Sequence, residues 1–195
     1  TSFYMLDENN EYYEVTEINI PNTVTTINQN VFRGFDNITK VTLPNTITSI
    51  NKKAFIGCNN LLDLELSSSI KSIEQWAFFG CGNLENVYYN GTIEEWCNIS
   101  FYDNFSTPMN IASNFYMKNE LGEYESVTEI NLPNSIKIIN DYQFYGFENV
   151  SKITLSSRVR NIGISAFAGC TGVEEVYFGG TLYAWNNILF DSLES

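Results

Sequence analysis

The sequence predicts a repeat solenoid rich in β-structure, built from short parallel strands with a period of 23 residues. Three observations predict this fold. Phe32, Phe55 and Phe78 recur 23 residues apart. Each unit begins with an apolar triplet of the form LxxLxL, whose last two apolar residues alternate with polar ones as in a half-buried strand. A glycine follows two residues after each phenylalanine, where we expect a turn with positive φ.

These recurrences divide the chain into seven units and two spacers, which together form one solenoid. The units are 15–37, 38–60, 61–83, 84–106, 127–149, 150–172 and 173–195, and the spacers are 1–14 and 107–126. A longer repeat lies on top, because 15–22 recur at 127–134, an offset of 112, and 90–96 align with 179–185, an offset of 89. The two offsets differ by 23 residues, so the second copy of the longer repeat has lost one unit. A solenoid tolerates the loss of a whole unit because each unit contacts only its neighbours. Since the sequence starts inside a spacer, we expect it to be a segment of a longer array.

Each part of a unit has its own expected role, which the unit 38–60 illustrates. Its triplet forms a strand, and Pro44 ends that strand because proline has no N–H to give to a ladder. Ile47 and Ile50 then form a second, shorter apolar pair on another side of the coil. Phe55 fills the centre, so seven phenylalanines or their equivalents are expected to stack into an aromatic spine.

Two units have a tryptophan in place of an isoleucine of the second apolar pair, and they are interpreted as variants with the same phase. Ile93, Trp96 and Phe101 take the places of Ile70, Ile73 and Phe78, and Leu182, Trp185 and Phe190 take those of Val159, Ile162 and Phe167. Thr92 and Glu95 have the spacing of a capping box, which predicts one short helical turn in place of the extended segment. Glu94 and Glu95 are therefore assigned to this cap rather than to a catalytic pair.

Cysteine usage indicates packing rather than chemistry. The four cysteines are Cys58, Cys81, Cys97 and Cys170, without a CxxC pair. Three of them share a repeat position with phenylalanines of other units, so we expect buried thiols that act as small apolar groups. A disulfide between Cys58 and Cys81 is the alternative. Cys97, next to Trp96, is interpreted in the same way.

Composition excludes several classes of function. The formal net charge is −13, with Lys+Arg 10 against Asp+Glu 23, and such a surface repels nucleic acid and anionic membranes. No apolar run is long enough to insert into a bilayer. The absence of histidine removes Ser-His and Cys-His nucleophiles and histidine metal sites. No calcium-loop motif is present, so no metal, cofactor or catalytic residue is expected.

The unit Leu-Leu-Asp-Leu-Glu-Leu-Ser-Ser-Ser-Ile-Lys-Ser-Ile-Glu-Gln-Trp-Ala-Phe-Phe-Gly-Cys-Gly-Asn at 61–83 resembles the BspA-like leucine-rich repeat family. The Ile-x-x-x-Ala-Phe-x-Gly-Cys pattern carries the resemblance, which extends over seven units. It implies a right-handed leucine-rich-repeat solenoid that is secreted or displayed on a bacterial cell surface. It also implies binding to host matrix proteins, epithelial cells or other bacteria, with no shared catalytic residue.

Outward-facing strand positions are the best candidates for binding. They are Glu17, Asn19, Lys40, Thr42, Asp63, Glu65, Asn86, Tyr88, Glu129, Asn131, Lys152, Thr154, Glu175 and Tyr177. Read functionally, they form an acidic strip edged with tyrosines, which suits a basic protein or a sugar because tyrosine gives contact area at low entropic cost. Read structurally, they are cross-strand pairs of opposite charge, each stabilising the sheet by about 0.2–1 kcal/mol.

Three functions follow in order of support. The first is a non-enzymatic adhesion module that recognises a host or bacterial surface protein or glycan. The second is a structural spacer in a larger surface protein. A glycan-processing enzyme that uses paired carboxylates is a distant third, since nothing in the sequence favours it.

Overall fold

The computed structural model, which describes residues 1–191, is a solenoid of about seven turns whose strands stack in parallel. In chain order its elements are β1 (Tyr4–Leu6), β2 (Tyr12–Glu14), β3 (Glu17–Asn19), β4 (Thr26–Ile27), β5 (Lys40–Thr42), β6 (Ser49–Ile50), β7 (Asp63–Leu66), β8 (Ser72–Ile73), β9 (Asn86–Tyr89), α1 (Ile93–Trp96), β10 (Ser100–Phe101), a 3₁₀ turn (Pro108–Asn110), β11 (Asn114–Lys118), β12 (Tyr124–Ser126), β13 (Glu129–Asn131), β14 (Ile138–Ile139), β15 (Lys152–Leu155), β16 (Asn161–Ile162), β17 (Glu175–Phe178), α2 (Leu182–Asn186) and β18 (Leu189–Phe190). The predicted solenoid of parallel strands is confirmed.

The apolar triplets form the strands of the main sheet, which we call the triplet sheet. Its first part has the order β12-β11-β9-β7-β5-β3, and its second part has the order β13-β15-β17. Proline limits strand length as predicted. The strands that precede Pro21, Pro44 and Pro133 have three residues, whereas β7, β9, β15 and β17, which no proline follows, have four.

Backbone hydrogen bonds between successive turns hold the phenylalanine segment in place. The Phe55 amide donates to the Ala77 carbonyl oxygen at 2.9 Å, and the Gly57 amide donates to that of Phe79 at 2.8 Å. Gly57 has φ of 73°, a region that costs a residue with a Cβ about 1–2 kcal/mol. The expected glycine turn is therefore confirmed, and it is part of the contact between turns.

The Ile-x-x-Ile pairs form a second stack, with the orders β10-β8-β6-β4 and β14-β16-β18. Here the structure corrects the alignment of the tryptophan units. Phe101 pairs with Ile73, not with the position of Phe78, and Phe190 pairs with Ile162. The reason is the helical turn before them, which advances about 1.5 Å per residue against about 3.3 Å in a strand. More residues are therefore needed to reach the second stack.

The longer turn interrupts the aromatic spine, so the expected stack of seven rings is wrong. Ring centroids lie 5.2 Å apart for Phe32 and Phe55, and 5.6 Å apart for Phe55 and Phe78. A separate stack joins Phe144 and Phe167 at 5.4 Å. The spine stops after Phe78. The Phe78 amide donates to the Phe105 carbonyl oxygen, so the next residue, buried Ser106, occupies the place where another phenylalanine would continue the stack.

The short helical turns form as the capping box predicts. The Thr92 hydroxyl accepts from the Glu95 amide at 3.2 Å, and the Glu95 carboxylate accepts from the Thr92 amide at 2.8 Å. Thr181 caps α2 through the Ala184 amide. No helix within residues 1–191 has the length and apolar character needed to cross a membrane.

The segment 107–126, predicted to be a spacer, supplies a strand to the triplet sheet. Strand β11 runs parallel to β9, with Phe115 opposite Val87, and β12 then folds back antiparallel to it. Asn114 donates to Asn86 across 28 residues, so this turn is longer than the 23-residue period. The segment 1–14 forms a matching hairpin from β1 and β2. The division of the chain into units and spacers stays a prediction.

A junction of aromatic and amide side chains joins the two parts of the solenoid. The ring of buried Trp96 lies 4.7 Å from Phe115 and 5.8 Å from Phe147. Its indole Nε1 donates to the Gln143 carbonyl oxygen at 2.8 Å, and the Gln143 amide donates back to the Trp96 carbonyl. Gln143 stands where three other units have Ala54, Ala77 and Ala166, so this departure from the repeat stabilises the junction.

All four cysteines are free thiols. Cys58 Sγ donates to the Phe32 carbonyl oxygen at 3.0 Å, and Cys81 Sγ donates to that of Phe55 at 3.1 Å. Burial raises the pKa of Cys58 to about 11 and that of Cys97 to about 12. The interpretation as buried thiols holds, and the alternative disulfide does not form.

Removing one ring of the spine should destabilise the whole stack. We expect Phe55→Ala to lower the free energy of unfolding by about 3–5 kcal/mol, because it leaves a cavity between two stacked rings. Val31→Ala, at an exposed position near the same end, is the control and should cost far less. Urea unfolding followed by circular dichroism measures both, and equal losses would contradict the role given to the spine.

The buried thiols should make the protein less stable at alkaline pH. Their pKa is raised above the ordinary value of 9.0 in the folded state, so the unfolded chain loses these protons first. The free energy of unfolding should therefore be level below about pH 9 and fall as pH rises toward about 11. A set of Cys→Ala variants should flatten this dependence. Thiol titration before and after denaturation should find four thiols only in the denatured protein; a smaller number would indicate a disulfide.

Candidate functional site

The structure places the candidate binding residues in register on the outer face of the triplet sheet, which we call the strand face. One row joins Glu17, Lys40, Asp63, Asn86 and Asn114, and the next joins Asn19, Thr42, Glu65, Tyr88 and Tyr116. In the second part the rows are Glu129, Lys152 and Glu175, and Asn131, Thr154 and Tyr177. All of these side chains are partly or fully exposed.

Charge pairing explains little of this face. Among residues 1–191, Lys152 and Glu129, 3.3 Å apart, form the one ion pair between side chains. Lys40 stands between Glu17 and Asp63 without an ion pair to either. Asp63 instead accepts a hydrogen bond from the Asn86 amide at 2.9 Å. Of the cross-strand ion pairs expected on structural grounds, only that of Lys152 with Glu129 forms among residues 1–191.

Three tyrosine rings meet at one end of the strand face, in what we call the tyrosine cluster: Tyr88, Tyr116 and Tyr124. The rings of Tyr88 and Tyr116 stack with centroids 4.9 Å apart and planes 15° from parallel. Tyr124, from the returning strand β12, meets Tyr88 edge-on at 4.9 Å. All three rings are partly exposed, and the Lys118 ammonium lies 5.0 Å from the Tyr124 ring centre.

The hydroxyl of Tyr124 fastens the hairpin to the sheet. It donates to Glu65 Oε1 at 2.9 Å and lies 2.7 Å from Asn90 Oδ1, while Asn90 Nδ2 donates to the same Glu65 oxygen at 2.8 Å. Burial and the Glu65 carboxylate raise the pKa of Tyr124 well above its ordinary value. The hydroxyl therefore stays protonated and acts as a donor. One carboxylate oxygen of Glu65, Oε1, accepts both of these hydrogen bonds.

Sequence reasoning identified Glu65 and Tyr88 but missed Tyr116, Tyr124 and Lys118. These three lie in the segment 107–126, which is outside the 23-residue units, so the repeat does not predict which of its side chains face outward. One signal could have found them: the offset of 112 relates Tyr4 and Tyr12 to Tyr116 and Tyr124, so two tyrosines recur in each segment.

The second part of the strand face is a smaller version of the same site. The Lys152 ammonium lies 5.6 Å from the ring centre of Tyr177, beside its ion pair with Glu129. The Tyr177 hydroxyl donates to Glu175 at 3.3 Å. Within residues 1–191 no strand follows β17 in the sheet, and Tyr177 is more exposed than Tyr88.

The acidic residues outside the strand face have structural roles where the structure gives them a partner. Glu95 caps α1, and Asp7 accepts hydrogen bonds from the amides of its own turn, which lower its pKa. Within residues 1–191, no group of histidine, cysteine or acidic side chains is arranged to hold a metal ion.

Comparison with protein families gives one match. The family described as BspA type leucine rich repeat region matches residues 9–120 and 117–195, in 6 copies. A search of curated protein sequences gives no significant match.

Solved structures give several matches of similar architecture. A leucine-rich repeat protein from Bacteroides ovatus matches with a TM-score of 0.51 and 18% identity, over 91% of this chain and 51% of its own. A leucine-rich cell surface protein from Faecalibacterium prausnitzii matches at 25% identity and a TM-score of 0.40, over 98% of this chain and 41% of its own. The T. pallidum leucine-rich repeat protein matches at 20% identity and a TM-score of 0.48, over 90% and 78%. The Bacteroides likeness supports the fold, and this chain spans less than half of the Faecalibacterium protein.

The contact between Tyr124 and Glu65 should be measurable as stability. Tyr124→Phe removes the donor and keeps the ring, and we expect the free energy of unfolding to fall by about 1–2 kcal/mol, because a hydrogen bond to a charged group is lost. Tyr102→Phe is the matched control, since Tyr102 is 66% exposed, and it should have almost no effect. Urea unfolding compares the two; equal effects would show that the hydroxyl does not fasten the hairpin.

Proposed function

Because the chain belongs to the BspA-type leucine-rich repeat family, we propose that it is a non-enzymatic binding module of a bacterial surface protein. In this proposal it recognises a protein or glycan of a host or of another bacterium through its strand face. The proposal includes a location outside the cell. A cell-fractionation experiment with an antibody to this chain tests that location.

The tyrosine cluster is the observation that carries the proposal. Its rings contribute nothing to the core, because Tyr88 and Tyr116 point away from the buried residues of their strands. Tyr88 and Tyr116 lie on β9 and β11, which have a hydrogen-bonded neighbour on each side, and their rings stack on each other. Little side-chain freedom therefore remains to be lost on binding. Tyrosines arranged in this way are typical of surfaces that bind protein or sugar.

The charge around the cluster favours partners with basic or hydroxyl groups. Asp63 and Glu65 lie two residues apart on the outer face of β7. Burial raises the pKa of Tyr88, and the negative charges of Asp63 and Glu85 raise it further. Lysine or arginine side chains of a partner would be attracted to this region and could stack on the rings. A sugar would stack on the same rings and donate its hydroxyls to the free carboxylate oxygens.

A structural spacer is the second candidate, and the contact of Tyr124 with Glu65 favours it. That contact uses one ring and one carboxylate to hold the hairpin in place, which a spacer also requires. The two functions differ in their prediction for Tyr88 and Tyr116. These rings matter to a binding module, whereas a spacer tolerates their loss.

Binding measurements on variants of the cluster separate the two candidates. The purified chain is screened against arrays of matrix proteins and glycans, and affinity for each hit is measured by surface plasmon resonance. We expect the double variant Tyr88→Ala, Tyr116→Ala to weaken binding by at least about tenfold, since two central aromatic contacts are lost. Tyr102→Ala, at an exposed position outside the cluster, should leave the affinity unchanged.

Two results would contradict the binding function. One is full affinity of the double variant for every hit. The other is hydrolysis of a glycan or peptide by the chain, with no stable binding to any. A full-length protein that keeps its adhesion when Glu65, Tyr88 and Tyr177 are replaced by Ala would support the spacer instead.

A further inference from the structure

We propose that the strand face takes a lysine or arginine side chain of a protein partner, between the Tyr88 ring and the carboxylates of Asp63 and Glu65. This rests on the proposed function, because it names the class of partner for the same face. The second part of the strand face carries it, since a matching site there is filled by a lysine of the chain itself.

The two parts of the strand face correspond at the offset of 89. Tyr88 corresponds to Tyr177, and the neighbouring strand β7 corresponds to β15. The register is the same, because β7 pairs with β9 as β15 pairs with β17, residue for residue. A side chain on β7 therefore stands in the same relation to Tyr88 as its counterpart on β15 does to Tyr177.

In the second part, the tyrosine has a cation of the same chain beside it. The Lys152 ammonium lies 5.6 Å from the Tyr177 ring centre and 3.3 Å from a carboxylate oxygen of Glu129. The electrons of the ring and the opposite charge of the carboxylate both attract the ammonium. This contact identifies the kind of group that fits beside the ring.

In the first part, the same position carries the opposite charge. Asp63 stands in the place of Lys152, and Glu65 stands in the place of Thr154. The adjacent Lys40 forms no ion pair with Asp63 within residues 1–191. The first part therefore offers a ring and two carboxylates to a cation that the chain itself does not provide.

Hydrogen bonds hold both carboxylates in place and leave one oxygen of each open. Asn86 donates to Asp63 Oδ1 at 2.9 Å. Asn90 and Tyr124 donate to Glu65 Oε1 at 2.8 and 2.9 Å. Within the described residues the second oxygen of each carboxylate accepts no hydrogen bond, and both side chains are partly exposed. An ammonium or guanidinium therefore meets acceptors that are already fixed, which reduces the entropy lost on binding.

The tyrosine cluster suits a cation better than a sugar. A sugar needs a broad free ring face, but Tyr88 and Tyr116 cover one face of each other, and the Lys118 ammonium lies over the ring of Tyr124. A lysine side chain is narrow and needs only the side of Tyr88 that faces β7. The net charge of −13 also attracts a basic partner from a distance.

Nuclear magnetic resonance titration of the full chain with a basic peptide tests the proposal. The probe has four lysines that alternate with glycines, and its control is the same peptide with acetylated lysines. We expect the lysine peptide to shift the backbone amide signals of β7 and β9 until they saturate, and added salt to weaken its affinity. The acetylated peptide should leave these signals unchanged.

Substitutions at Asp63 separate this site from general attraction to an acidic protein. Asp63→Asn removes one charge and keeps the acceptor for Asn86, and it should weaken binding about threefold. Asp63→Lys supplies an ammonium of the chain, as Lys152 does in the second part, and should weaken binding at least about tenfold. Glu8→Gln removes the same charge at an exposed position of the N-terminal hairpin and should bind like the parent. The amide spectra also show whether each variant is folded.

Two results would overturn the inference. One is a lysine peptide that does not bind, or that binds Asp63→Lys as tightly as it binds Glu8→Gln. The other is an array partner, such as a glycan, that requires Tyr88 and Tyr116 but binds Asp63→Lys as tightly as the parent. In this second case the proposed function stands. The proposed function itself fails when no array partner requires the two tyrosines.

Discussion

The structure depends on one constraint: no turn of the chain can bury its own apolar side chains, so each must be covered by the next. The phenylalanine segments meet this constraint most directly. Their backbone amides donate to carbonyls of the following turn, and the rings of Phe32, Phe55 and Phe78 stack in that order, with neighbouring centroids 5.2 and 5.6 Å apart. A constant turn length keeps these groups opposite each other. The 23-residue period, the glycine at each turn and the buried thiols all follow from this requirement.

The contacts that are absent from the regular units lie where the turn length changes. The helical turn α1 lengthens one coil and ends the aromatic spine, and the following segment adds β11 to the sheet before it turns back through β12. The tyrosine cluster and the junction of Trp96 with Gln143 both lie in this region. Where the chain departs from the repeat, side chains do not pack as they do in the other units. They can therefore form contacts, such as the stacked tyrosines, that the other units lack.

The strand face is a consequence of the same stack. Because side chains alternate along each strand, every buried triplet residue has outward neighbours that packing does not specify. These positions hold tyrosine, acid and amide in rows, on a sheet that keeps them in fixed register. The proposed ligand contact uses this property.

The sequence by itself determined the parallel strands, their lengths before proline, the glycine turns, the capped helical turns and the row of outward residues, because each depends on neighbours within one unit or on the same position of the next. Only the tertiary structure decided the place of Phe101, the strand in 107–126 and the meeting of Tyr124 with Glu65, which are 59 residues apart. These depend on how far a helical turn advances the chain along the stack. A helical turn advances less per residue than a strand, so the side chains after it meet different partners. The 23-residue period counts residues and does not measure this advance.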